Sequence, residues 1–189
     1  MSSHVFQTLG NVEILSQRKV ALFASRHTPP EVYPAAEELF RALCALNIAL
    51  AGGWQAPLEK RLWKLFDYKT CKANLMYYLA RDLNGYTPDR RAEALLDRNR
   101  LLFVAPSIRT SRPSRKEIQL RDTLVFSQVK KVVFLYVHPT GRLASYLRQA
   151  SRMKHDFYLL DHPVNQQQLR EDTVAIAADD LNLLFSDLA

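Results

Sequence analysis

Residues 19–53 read KVALFASRHTPPEVYPAAEELFRALCALNIALAGG. Val20, Ala21, Leu22 and Phe23 make a short apolar run that delivers Ser25-Arg26 to a turn. Thr28-Pro29-Pro30-Glu31 has the spacing of a capping box with prolines in the first helical turn. Behind it Val32, Ala36, Leu39, Phe40, Leu43 and Leu46 recur at helical spacing. Ile48, Ala49, Leu50 and Ala51 form a second buried run that closes on Gly52-Gly53. Strand, polar turn, amphipathic helix, strand and glycine turn follow one another. That order predicts two parallel strands with polar and glycine-rich turns at their carboxyl ends, where open α/β sheets bind ligands.

The same alternation continues outward. The glycine turn opens a helix with Leu58, Leu62, Leu65 and Phe66 on one face and Lys60, Arg61 and Lys64 on the other. Ala73 to Ala80 reads as a third strand, and Thr87-Pro88 begins a short helix ending near Leu96. Leu101 to Val104 is a fourth strand. Ser114 and Glu117 form a second capping box, for a helix carrying Ile118, Leu124, Val125 and Val129 inward. Val132 to Val137 is an unbroken apolar run rich in β-branched residues, the signature of a central strand. Thr140-Gly141 leads into another helix, and Phe157 to Leu160 is a last strand. The pattern predicts an α/β fold: a Rossmann-like open, mostly parallel twisted sheet with helices on both faces. Residues 1–164 are expected to form this domain, residues 1–18 being a short leader. Residues 165–189 form an acidic amphipathic tail in which Leu181, Leu184, Phe185 and Leu188 are spaced for a helix. It is expected to pack on the domain, or on a second subunit in a homodimer.

Charge narrows the partners. The chain has 26 basic and 19 acidic residues, a net charge of +7. Residues 165–189 hold one of the basic and five of the acidic residues, leaving 25 basic against 14 acidic over 1–164. Arg109, Arg112, Arg115, Lys116, Arg121, Lys130 and Lys131 crowd into one stretch beside only Glu117 and Asp122. Such a body suits a polyanion, or is a solvated basic surface. With no long apolar run, no signal-type start and two cysteines (Cys44 and Cys71) lacking metal-type spacing, the chain reads as a cytoplasmic protein with reduced thiols and no membrane contact.

Arg26, at the end of the first strand, is the leading candidate for anion contact, with a structural salt bridge as the alternative. Gly52-Gly53 marks a close backbone approach or only a tight turn. Arg109 and Arg112 read equally as a binding arm or a solvated loop. His138-Pro139-Thr140-Gly141-Arg142 follows a buried strand and opens a helix, a geometry suited to an anion. His4, His27, His155 and His162 are too scattered for a metal site, and no nucleophile has a base in a recognised context. Neither a catalytic constellation nor a cofactor motif is visible.

From Gly10 to Pro163 the order of elements and turns resembles the Rossmann-like domain of the DNA-processing protein A (DprA, or Smf) family. Gly10-Asn11-Val12-Glu13-Ile14-Leu15 precedes the first strand as in that family. Ala24-Ser25-Arg26 stands at its Gly-Ser-Arg motif, Ala51-Gly52-Gly53 at its Ser-Gly-Gly, and Thr140-Gly141 at its Ser-Gly. Arg121-Asp122 stands at its Arg-Asn pair, and Trp54-Gln55-Ala56-Pro57 replaces its Arg-Gly-Ile-Asp run. The resemblance implies single-stranded DNA held by its phosphates at the carboxyl edge of the sheet and then handed to a recombinase. The sites implied are Ser25, Arg26, Gly52, Gly53, Arg115, Lys116, Arg121, Thr140 and Gly141, with Tyr33, Trp54 and His138 near enough to stack on bases, although tryptophans such as Trp54 and Trp63 more often pack in a core or on a surface than serve as stacking platforms. A small-nucleotide sensor, or a relative of the nucleotide phosphoribohydrolases using the same pocket, is the alternative. The latter carry Pro-Gly-Gly-x-Gly-Thr and a glutamate, which this turn lacks.

Overall fold

The computed structural model describes residues 6–107, 113–149 and 152–185. Eight strands form a single sheet: β1 (Phe6–Gly10), β2 (Lys19–Ala24), β3 (Ala49–Gly52), β4 (Asn74–Tyr78), β5 (Leu101–Pro106), β6 (Lys131–Tyr136), β7 (Asp156–Leu160) and β8 (Thr173–Ile176). Five α-helices connect them: α1 (Val32–Cys44), α2 (Pro57–Leu65), α3 (Arg90–Leu96), α4 (Arg115–Gln128) and α5 (Arg142–Leu147). The strand order is β1-β5-β4-β3-β2-β6-β7-β8, and every pairing is parallel except β1 with β5. This is the α/β, mostly parallel architecture that the alternation predicts.

The chain lays down β2 through β5 in one direction and then returns to set β6 on the other side of β2. The carboxyl ends of β2 and β6 therefore flank the point where the winding reverses, the crevice in which such sheets receive ligands. Strand residues alternate between two cores. Val20, Leu22, Leu50, Val133 and Leu135 pack with α1, α2 and α3. Ala21, Phe23, Ala49, Val132 and Phe134 pack with α4 and α5. Burial on both faces explains why these strands read as continuous apolar runs.

Three expectations need correction. The leader contains a strand, β1, which closes one edge of the sheet antiparallel to β5, Leu9 opposite Phe103. The tail adds an unexpected strand, β8, on the other edge, and where Leu181, Leu184 and Phe185 are spaced for a helix it makes a single 3-10 turn at Leu181–Leu184. That turn does pack on the domain: Leu184 is buried, and the Tyr158 hydroxyl donates to the Leu183 carbonyl at 3.0 Å. Leu188 lies outside the described residues. Finally, Thr28 does not cap α1. Its hydroxyl donates back to the Ser25 carbonyl at 2.7 Å, and the N-cap residue is Glu31, with no side-chain cap. The Val32 and Tyr33 amides donate instead to the Pro29 and Pro30 carbonyls, each at 3.1 Å, and Pro34 has no N–H, so fewer amides at this end need a side-chain acceptor. The Ser114–Glu117 capping box forms as predicted.

Candidate functional site

The site is built from the ends of β2, β3 and β6. Beyond β2, the Ser25 amide donates to the Tyr136 carbonyl at 2.9 Å, and its Oγ accepts the His138 amide, also at 2.9 Å. Ser25 thus bridges the crevice and ties the first polar turn to the His138–Arg142 turn. The Gly141 amide donates to the His138 carbonyl at 2.9 Å, and a Cβ at 141 would lie 3.1 Å from that oxygen and 3.7 Å from Ser25 Oγ. Close approach, rather than unusual φ, is what glycine supplies here. Thr140 is exposed beside this turn, its hydroxyl 3.2 Å from His138 Nδ1. Arg26 follows Ser25 directly, is exposed, and makes no hydrogen bond or ion pair within the described residues.

Beyond β3, Gly52 and Gly53 are buried. A Cβ on Gly53 would lie 2.6 Å from Cζ of Arg121, so the guanidinium lies against the glycine backbone. Trp54 completes the turn with φ of 51°, a left-handed conformation uncommon for a bulky residue. Its indole is 1% exposed and donates to the Met76 carbonyl at 3.0 Å. Trp54 is therefore a core anchor and not an open stacking platform, because its buried N–H needs an internal acceptor. Tyr33 is half-buried. It faces a groove of about 710 Å³ lined also by Thr28, Glu37, Arg41 and Arg61.

Two carboxylates that sequence reasoning gave no role organise the floor. Glu59 is buried. Its Oε1 accepts the Ala24 amide at 3.0 Å, and its Oε2 accepts the Gln55 and Ala56 amides at 2.9 and 3.2 Å. An internal carboxylate, not an external anion, satisfies the amides that flank the glycine turn. A partial signal was present, since a glutamate two residues after a helix-opening proline commonly turns back on the preceding amides. The bond to Ala24, 35 positions away, had no local signal.

Asp122 is fully buried. Its Oδ1 accepts Nε and Nη2 of Arg121 at 3.0 and 2.7 Å, and its Oδ2 pairs with Arg142 and accepts the Tyr146 hydroxyl at 3.1 Å. Burial pulls the Arg121 guanidinium below its ordinary value while Glu59 acts in the opposite sense. Arg142 is lowered by burial too, but its side chain is 35% exposed and runs beside the Tyr146 ring. The two guanidiniums are balanced by two carboxylates, Asp122 in direct contact and Glu59 acting on both through space, so this buried layer carries no net charge. Arg115 and Lys116 are exposed at the start of α4, six and five residues before Arg121. At helical rise they stand roughly 8–9 Å along the axis from it. Arg109 and Arg112 lie outside the described residues. The structure thus brings Ser25 to Gly141 and Gly53 to Arg121, with Arg115 and Lys116 more than a helical turn before Arg121 on α4.

No protein-family model and no curated protein matches the chain. Solved structures do. DNA processing protein A from Streptococcus pneumoniae superposes with a TM-score of 0.72 at 12% identity, over 95% of this chain and 65% of that one. The chain thus spans just under two-thirds of that protein's length. The protein of the same name from Helicobacter pylori, whose structure concerns its binding of single-stranded DNA, superposes with a TM-score of 0.73 at 15% identity, over 96% and 87%. The molybdenum cofactor carrier protein of Chlamydomonas reinhardtii gives 0.58 at 15% identity, over 91% and 99%. The resemblance read from the sequence is, in three dimensions, a fold shared with DNA processing protein A.

Proposed function

We propose that this protein binds single-stranded nucleic acid by its phosphates at the carboxyl edge of the sheet. The observation that carries the reading is Arg26, an exposed guanidinium without an internal partner in the described residues, at the point where the winding reverses. The DprA-like fold supports it, since the H. pylori protein of that fold binds single-stranded DNA. On this reading Arg26, Thr140 and Gly141 meet one phosphate, while Arg115 and Lys116 track its neighbours. Ser25, Gly52, Gly53 and Arg121 form the layer beneath, Arg121 holding the glycine turn in position. Handover of the strand to a recombinase, action as a homodimer and a cytoplasmic setting go with the same reading. No helix among the described residues is long and apolar enough to cross a membrane.

The test is anisotropy of a labelled ~20-nucleotide single strand, titrated with salt beside a duplex of the same sequence. Preference for the single strand, with affinity falling steeply as salt rises, supports phosphate tracking. No binding at low salt overturns the reading. A second reading, a small nucleotide or similar cofactor held in the same crevice, is favoured by the likeness to the C. reinhardtii carrier. A ligand panel read by thermal shift separates the two, because a tightly held small molecule raises Tm by mass action.

A further inference from the structure

Behind the glycine turn, on the β4 side, lies a cavity of about 200 Å³ that the phosphate reading does not use. Trp63 of α2, Tyr77 of β4 and Tyr86 of the β4–α3 connection line it, together with Trp54, Lys60, Lys64, Asp89 and Ala92; Asp89 Oδ1 accepts the Ala92 amide at 2.8 Å as the cap of α3, and the two lysines outnumber that one carboxylate. The walls are set by ring packing. Trp63 meets Tyr77 edge-on at 5.1 Å between centroids, Trp54 lies 6.2 Å from Trp63, and Phe103 holds Tyr77 and Tyr86 at 5.3 and 5.1 Å. The Tyr77 hydroxyl accepts the side-chain amide of Gln55, which fixes that ring from the glycine-turn side.

Size, lining and charge converge on one kind of ligand. The volume is below the roughly 300–1,000 Å³ of a pocket for a drug-sized molecule, so it suits a single flat ring system rather than a whole nucleotide. Half-buried tyrosines beside a tryptophan give π faces to stack on. Lys60 and Lys64 are one helical turn apart, a spacing at which like charges repel, and neither has an ion-pair partner in the described residues. An anion between them would relieve that repulsion. Tyr77 is next to last in β4, two strands from β2, so the slot stands roughly 10 Å across the sheet from Arg26. That is within reach of a strand whose phosphate sits at Arg26.

We infer that this slot takes a single nucleobase of the bound strand, stacked among Trp63, Tyr77 and Tyr86, with Lys60 and Lys64 neutralising the adjoining phosphates. The inference rests on the reading above. Both tryptophans of the chain line the slot, so intrinsic fluorescence reports on it.

The experiment titrates the protein with a ~20-nucleotide oligothymidylate and with an abasic sugar–phosphate strand of equal length, following anisotropy and tryptophan emission. The oligothymidylate should quench emission and bind roughly 5- to 100-fold more tightly than the abasic strand. Tyr86→Ala should remove most of that preference while leaving abasic binding unchanged. If that variant fails to fold, Lys60→Glu/Lys64→Glu, on an exposed helix face, should abolish the quenching. Equal affinity for both strands with unchanged emission overturns the slot and leaves phosphate binding standing. Failure of both strands to bind at low salt overturns both.

Discussion

The guanidinium of Arg121 occupies the space that a side chain at position 53 would need. Gly53 and Arg121 come from different elements, and their contact explains why one of them has no Cβ. Asp122 holds the guanidinium in place, so the arginine cannot swing aside without breaking a buried ion pair.

Gly53→Ala is therefore expected to destabilise the protein by about 1–3 kcal/mol, the usual cost of overpacking. Gly52→Ala should cost less, since its nearest neighbours would be the Leu22 carbonyl and the Trp54 ring at 3.2 Å. Urea unfolding of the two variants provides the comparison, and equal midpoints would contradict the packing described.

Asp122→Ala leaves two guanidiniums without their shared carboxylate, one of them 5% exposed. A loss of about 3–5 kcal/mol is expected. Replacing the pair together, Arg121→Met with Asp122→Leu, should recover part of it, because Arg142 can turn to solvent and buried Glu59 keeps its three backbone amides. The double variant proving less stable than Asp122→Ala would show that the pair itself stabilises the fold.

Arg26→Ala separates binding from stability. An exposed side chain with no partner among the described residues should change stability by less than about 0.5 kcal/mol. The same change should weaken single-strand binding roughly tenfold or more and lower the salt slope by about 0.7. Arg121→Ala should lose both stability and binding. Unaltered binding by both variants would remove the crevice from the interface.

Alkaline pH should destabilise the protein. Burial, with the adjacent Cys71 thiol adding to it, raises the Cys44 thiol above its ordinary value. Burial raises the Tyr77 and Tyr78 hydroxyls likewise. Groups raised in the folded state contribute stability that is complete below their unfolded values and is lost as pH rises. Tm should hold to about pH 8, decline as the unfolded thiol ionises near 8.5 and fall faster past roughly 10 with the tyrosines. Cys44→Ala should delay the first decline. A Tm rising through this range would contradict the burial.

Legibility followed burial and locality. Strands β2, β3, β5 and β6 could be read because both their faces are covered, so apolar residues run without a break. Edge strands β1 and β8 could not: Phe6, Leu9 and Val174 are 36%, 40% and 45% exposed, and strands so short and half-solvated leave little pattern. Within the site, Ser25-Arg26 was legible because a polar pair must leave a buried strand. Whether Trp54 packs or stacks stayed open, with packing favoured, because an aromatic after Gly-Gly gives no hint of which way its ring turns.

What the chain determined on its own is local: which segments are apolar, where prolines and glycines force turns, and hence a parallel sheet with polar residues at its carboxyl ends. Tertiary structure alone decided which charges are available. Glu59 takes the amides beside the glycine turn, Asp122 engages Arg121 and Arg142, and Arg26 is left to solvent. The physical reason is that charge pairing depends on distance in space. A carboxylate 35 positions from the amide it accepts reaches it only after the strands have packed.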